Sequence, residues 1–143
     1  MNANIVGEGQ ELLKLKNKCL NNRRLKDCIV FLGKIPYEKM KEEYKKADVF
    51  IMPSIRETTG SVLLEVIANE ISAITINKFG GAVLLDESCA WLSSEKNKES
   101  YVSNPVSVII ECIKNPEVVY EKGKVTRLKS YNYTLEKKLE FYQ

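Results

Sequence analysis

Two carboxylates and a glycine stand at a spacing that could hold a phosphorylated ligand. Glu57 lies just before an apolar helical stretch, Gly60 opens that stretch, and Glu65 falls in its second turn between Leu64 and Val66. Lacking a Cβ, Gly60 lets a ligand come close to the backbone. The N–H groups of Ser61 and Val62 then sit at the positive end of the helix dipole, which suits a phosphate. A carboxylate among apolar helix neighbours is costly unless it is hydrogen-bonded. Glu65 therefore faces solvent, caps a neighbouring backbone group, or binds a polar ligand. The Gly7-x-Gly9 pair carries less, because Leu12 stands where a dinucleotide fingerprint has its third glycine.

Composition removes other chemistries. There is no histidine in the 143 residues, which excludes a Ser-His-Asp triad, imidazole acid–base catalysis and histidine metal ligation within the chain. Cys19, Cys28, Cys89 and Cys112 show no CxxC spacing and sit in or beside apolar runs, as reduced thiols acting as small hydrophobes do. No metal is expected. The net charge of +3 comes from scattered lysines, with Lys14, Lys16 and Lys18 alternating with apolar positions and Arg23-Arg24 as an isolated pair. Without interleaved aromatics these read as solvated faces, not a nucleic-acid stripe. No run approaches transmembrane length and Met1-Asn2-Ala3 does not begin a signal peptide. The expected location is a reduced cytoplasm, at most peripheral to the inner face of a membrane.

The elements that must position Glu57 and Glu65 alternate strand and helix. Ala3–Val6 reads as a strand ending in the Gly7-Glu8-Gly9 turn, followed by a helix with Leu12, Leu15 and Cys19 on one stripe beside Leu13 and Leu20. Residues 28–32 (CIVFL) form a second strand closed by Gly33. Pro36 starts a helix whose Met40, Tyr44 and Ala47 face inward. The apolar run in residues 48–52 (DVFIM) predicts a strand buried on both faces, stopped by Pro53. A helix over 60–68, a strand over 73–76, a short helix over 82–85 and a strand over 90–92 follow. Asn104-Pro105 and Asn115-Pro116 each read as a cap with a first-turn proline, and the end carries Leu135, Leu139 and Tyr142 for contact. This pattern predicts a single α/β domain: a doubly wound, mainly parallel Rossmann-like sheet of about five strands, with helices on both faces. Residues 1–95 form its core and 96–143 a helical tail. Ligands of such sheets lie beyond the carboxyl ends of the strands, here the loops 7–10, 33–35 and 54–61.

The string GEGQELLKL, then VFLGKIPYEKMKEEYKKADVFIMPS, then ETTGSVLLEVIA, resembles the C-terminal domain of family-4, group-1 glycosyltransferases of the GT-B fold. These enzymes share a glycine turn after a strand, an FLG strand end, an ADVFxxPS strand and an E-x7-E motif with glycine three residues after its first glutamate. Glu57, Gly60 and Glu65 match that motif. The resemblance is clear over roughly residues 3–95 and weak in the tail.

It implies retaining transfer of a hexosyl-type group from a UDP- or GDP-sugar to an acceptor, as in polysaccharide or glycoconjugate synthesis, without a metal or other cofactor. By analogy Glu57 is the candidate catalytic residue and holds hydroxyls of the donor sugar, while Glu65 holds the ribose. The backbone of Thr59, Gly60, Ser61 and Val62 receives the diphosphate, and Gly7 and the Gly33-Lys34-Ile35 loop border the donor.

The chain begins after the family's first strand and helix, which bear a basic pair that neutralises the diphosphate. Arg56 is no motif match for them. The acceptor domain is likewise absent, so the expected partners are a donor, that domain or a chain supplying it, a membrane surface reached through the full enzyme, or a second copy. Removing the first strand from the family order 3-2-1-4-5-6 leaves 2-1-3-4-5, unless a partner fills the gap. Glu70 and Ser72 replace the usual glycine and proline, and Glu70 is expected in a left-handed conformation ending its helix. A non-catalytic binding module derived from such an enzyme is the alternative. A receiver-type domain is disfavoured, because the first strand ends in Gly7 and the third in Met52-Pro53.

Overall fold

The structure is a computed structural model that describes residues 1–54, 61–93 and 98–134. Every strand pairing is parallel, and the strand–helix alternation gives the Rossmann-like α/β architecture expected from the sequence. The chain divides into two compact units, Met1–Glu43 and Tyr44–Gln143.

In the first unit β1 (Ala3–Val6) pairs with β2 (Ile29–Gly33), Ala3 opposite Ile29 and Ile5 opposite Phe31. Between them run α1 (Leu12–Leu20) and α2 (Arg23–Lys26), the latter capped where the Asn22 side chain accepts from the Arg24 N–H at 3.0 Å. The predicted stripe of α1 is narrower than its composition suggests: Leu12 and Cys19 are half-buried, whereas Leu13, Leu15 and Leu20 are exposed. A nine-residue helix over a two-stranded ladder has little apolar surface to cover it.

Helix α3 (Tyr37–Lys46) follows Pro36, whose carbonyl accepts from the Met40 N–H at 3.1 Å. Glu38 in its first turn and Lys45 and Lys46 in its last complement the helix dipole. Ala47 is exposed, contrary to the inward placement read from sequence, because α3 ends before it.

The second unit holds the core. Its sheet runs β3 (Val49–Met52), β4 (Ser72–Ile76), β5 (Ala90–Ser93), with β4 central and all five of its residues buried. The strand predicted to be buried on both faces, β3, is the end strand of this sheet. Val49, Phe50 and Met52 are half-buried and Ile51 is 44% exposed. An apolar run does not distinguish a central strand from a terminal one, and here β4 takes the central place. Nor do the five strands form one continuous 2-1-3-4-5 sheet. The first unit holds the β1-β2 ladder and the second the β3-β4-β5 sheet.

Helix α4 (Ser61–Ala68) buries Leu63, Val66 and Ile67 at i, i+3 and i+4 spacing. Short α5 (Phe79–Leu84) follows β4, and α6 (Lys98–Lys114) and α7 (Pro116–Ser130) complete the unit. Helix α6 runs through Pro105, so Asn104 lies inside the helix and not at its N-cap position: the helix already begins at Lys98. The second signal holds in part: Pro116 lies in the first turn of α7, but the Asn115 side chain makes no cap and donates to the Glu111 carbonyl at 3.2 Å.

The two last helices belong to the core and are not an appendage. Cys112 and Val119 pack with Ile74, and Val49, Trp91, Val108 and Ile109 close around them. Lys122 lies over the Trp91 ring, 5.0 Å from its centroid, and donates to the Glu87 carbonyl. Leu135, Leu139 and Tyr142 lie outside the described residues.

Candidate functional site

The site elements of the second unit are β3 and α4, with Tyr44 at the end of α3. Pro53 ends β3, and α4 begins at Ser61, so the Ser61 and Val62 N–H groups occupy the first turn of the helix. Glu57, Thr59, Gly60 and Arg56 lie outside the described residues.

Glu65, half-buried on α4, accepts a hydrogen bond on Oε2 from the Tyr44 hydroxyl at 3.0 Å. Tyr44 is itself buried and packs edge-on against Phe50, ring centroids 6.3 Å apart at 69°. The carboxylate is therefore neither a solvent-facing surface charge nor a backbone cap. Its own main-chain carbonyl is engaged separately by Asn69 Nδ2 at 2.8 Å. One hydroxyl donor leaves a carboxylate with acceptor capacity for a ligand.

Tyr44 is the member of this arrangement that the sequence does not single out. The available signal was a tyrosine at an inward position of α3, since a buried phenol ordinarily finds a polar partner.

In the first unit the two predicted glycines meet. Gly7 and Gly33 end β1 and β2, and the Gly7 N–H donates to the Gly33 carbonyl at 2.8 Å. Both adopt positive φ, 123° and 67°, and a Cβ at either would meet nothing within 4 Å. Backbone conformation selects glycine there, and the space above remains open. Lys34 is exposed and Ile35 half-buried just beyond.

Among the described residues no group of three or more Cys, Asp or Glu side chains converges as a metal site, and no helix is long and apolar enough to cross a membrane. The cleft lined by Ser88, Glu117, Val118, Glu121, Lys122 and Val125 contains none of the predicted site residues.

Parallel strands alternating with helices, glycine turns at strand ends and a carboxylate-bearing helix after β3 define a Rossmann-like α/β fold of the GT-B kind. The chain belongs to the group 1 glycosyl transferases: that family's profile matches residues 1–126.

Its fold is similar to TarM (17% identity, TM-score 0.82, 99% of this chain and 28% of that one). It is also similar to the pneumococcal O-GlcNAc transferase GtfA in complex with UDP and GlcNAc (16%, 0.84, 99% and 28%). The C-terminal domain of the group 1 protein LpcC from Francisella tularensis is a third match (19%, 0.78, 94% and 70%). The chain thus spans under a third of the length of TarM and GtfA. Comparison with curated protein sequences gives no match.

Proposed function

We propose that the chain is the donor-binding part of a retaining glycosyltransferase and holds a nucleotide-sugar of the UDP or GDP type. The observation that carries this reading is the Glu65 carboxylate, kept on an otherwise apolar helix and hydrogen-bonded by the buried Tyr44 hydroxyl. A carboxylate binds vicinal hydroxyls through paired hydrogen bonds, and Tyr44 fixes which way it points.

In this reading Glu65 takes the ribose, and the N–H groups of Thr59, Gly60, Ser61 and Val62 take the diphosphate at the helix N-terminus. Glu57 takes hydroxyls of the transferred sugar and is the candidate catalytic residue. Gly7, Gly33, Lys34 and Ile35 border the donor, and no metal ion is assigned a role. The UDP in the GtfA complex supports the choice of donor class.

Acceptor binding belongs to polypeptide beyond these residues, in the same chain or a partner. Holding donor and acceptor in one geometry is worth roughly 7–11 kcal/mol, so the purified chain alone is expected to transfer no sugar.

The test is a titration of UDP and GDP followed through the Gly60, Ser61 and Val62 amide signals. With no lysine or arginine assigned to the diphosphate, each forgone charge-assisted bond costs about 1.5–3 kcal/mol, and binding of roughly millimolar strength is expected. Glu65→Ala should abolish the shifts, Tyr44→Phe should weaken binding up to about tenfold, and Glu57→Ala should leave bare nucleotide binding nearly unchanged. Equal losses from the two glutamate substitutions would sink the assignment of roles. Undiminished binding by Glu65→Ala would sink the site.

A further inference from the structure

Helix α6 carries an apolar row that the core leaves uncovered. Val102 is 63% exposed, Val106 50%, Ile110 48% and Ile113 57%. At 3.6 residues per turn these four fall within about 80° of arc on one side of the helix. Val108, Ile109 and Cys112 lie on the adjoining side and pack into the core. From Val102 to Ile113 the sequence holds one charged residue, Glu111. It stands about 140° round the helix from the middle of the row. Ser107, beside the row, donates its hydroxyl to the Ser103 carbonyl at 2.7 Å, so it brings no unpaired donor to a dry contact.

We propose that two copies of the chain pair through this row, α6 against α6 in antiparallel sense about a two-fold axis. The row complements itself, because its apolar side chains recur at spacings of three or four residues when read from either end. Antiparallel pairing sets Val106 of one copy against Ile110 of the other, and Val102 against Ile113, as an isologous contact requires. Charge favours the same arrangement. Lys114 is exposed at one end of the row, so antiparallel helices hold the two ammonium groups at opposite ends of the pair, whereas parallel helices would bring them together. A nucleic acid or an acidic surface would find no cation between Val102 and Ile113. Size sets the strength. Four half-exposed aliphatic side chains per copy fall short of the ~800 Å² that each partner of a standard interface buries, so the pairing is weak and reversible. None of these residues belongs to the donor site, and the proposal does not rest on that reading.

The experiment is sedimentation velocity of the purified chain from about 10 μM to about 1 mM. A shift from monomer to dimer is expected across that range. The contact is apolar, so added salt should not weaken it. Val106→Glu sets a carboxylate against an aliphatic partner and should weaken pairing at least about tenfold, as should Ile110→Lys. Joined in one chain, the two substitutions place opposite charges across the axis and should recover part of the loss, which misfolding would not do. Both positions are exposed, and circular dichroism checks that the variants fold. A monomer at every concentration would overturn the proposal and leave the row to a different polypeptide. Dimers that dissolve in salt, or that form equally well with Val106→Glu, would overturn it too. No recovery in the double variant would overturn the antiparallel arrangement.

Discussion

At Glu70 the chain bends out of α4 with φ at 62°, a left-handed conformation that favours glycine. The family resemblance pointed to this position, because Glu70 stands where those enzymes usually have glycine. The Glu70 carboxylate does lie 3.9 Å from Arg127 Nε, but both side chains are substantially exposed and such pairs are worth little. Glu70→Gly should therefore stabilise the protein by about 0.5–1 kcal/mol, read as a raised urea midpoint at unchanged slope. Ser72 was harder to read. It stands in place of a proline, and its buried hydroxyl makes a long 3.5 Å contact to the Asp48 carbonyl of the neighbouring strand segment. The Tyr44–Glu65 bond was illegible for a similar reason: the partners are 21 residues apart on different helices, and nothing local to either one encodes the other.

Among elements, α7 has the most closely specified seat. A Cβ on Gly123 would lie 2.3 Å from the Glu70 carbonyl oxygen, a backbone atom that cannot swing aside. Three residues on, Thr126 is fully buried, and Arg127 donates to the Ala68 carbonyl at the end of α4. Gly123→Ala should cost about 1–3 kcal/mol by overpacking, despite alanine's better helix propensity, and a lowered melting temperature would show it. Lys129 pins the same helix to Asp86 in the turn before β5. That bond, with help from Ser88, holds the Asp86 carboxyl down to about 2. Its folded value lies below its unfolded one near 4, so the contribution is full above about pH 4 and disappears as pH falls through about 2. Water screens the pair, so Asp86→Asn should cost only about 0.2–1 kcal/mol at neutral pH. Melting curves of variant and wild type should converge by about pH 2. Periodicity located nearly all these helices and strands, since each repeats a local pattern. It misread Pro105, because local chemistry at a proline is the same whether a helix starts there or runs past, and here α6 already begins at Lys98.

For the whole molecule the division into two units matters most. None of residues 1–43 is buried, whereas the second unit holds the buried side chains, many of them on β4, α4 and α7. Protection in native-state hydrogen exchange should follow burial. Amides of β4 are expected to exchange slowest and those of β1 and β2 many-fold faster. Equal protection factors in the two sheets would contradict this. Composition and strand–helix alternation made the α/β class legible, but not this unevenness, which depends on how much surface each unit has available to cover its strands.

The cysteines give that unevenness a chemical readout. Half-buried Cys19 and Cys28 fall in the first unit, and buried Cys89 and Cys112 in the second. Burial, aided by the Glu111 carboxylate, pushes the Cys112 thiol up, further from the reactive thiolate. Timed alkylation followed by mass spectrometry should therefore pass through a doubly tagged species before a fourfold one, and the interval between them measures how much longer the second unit stays closed.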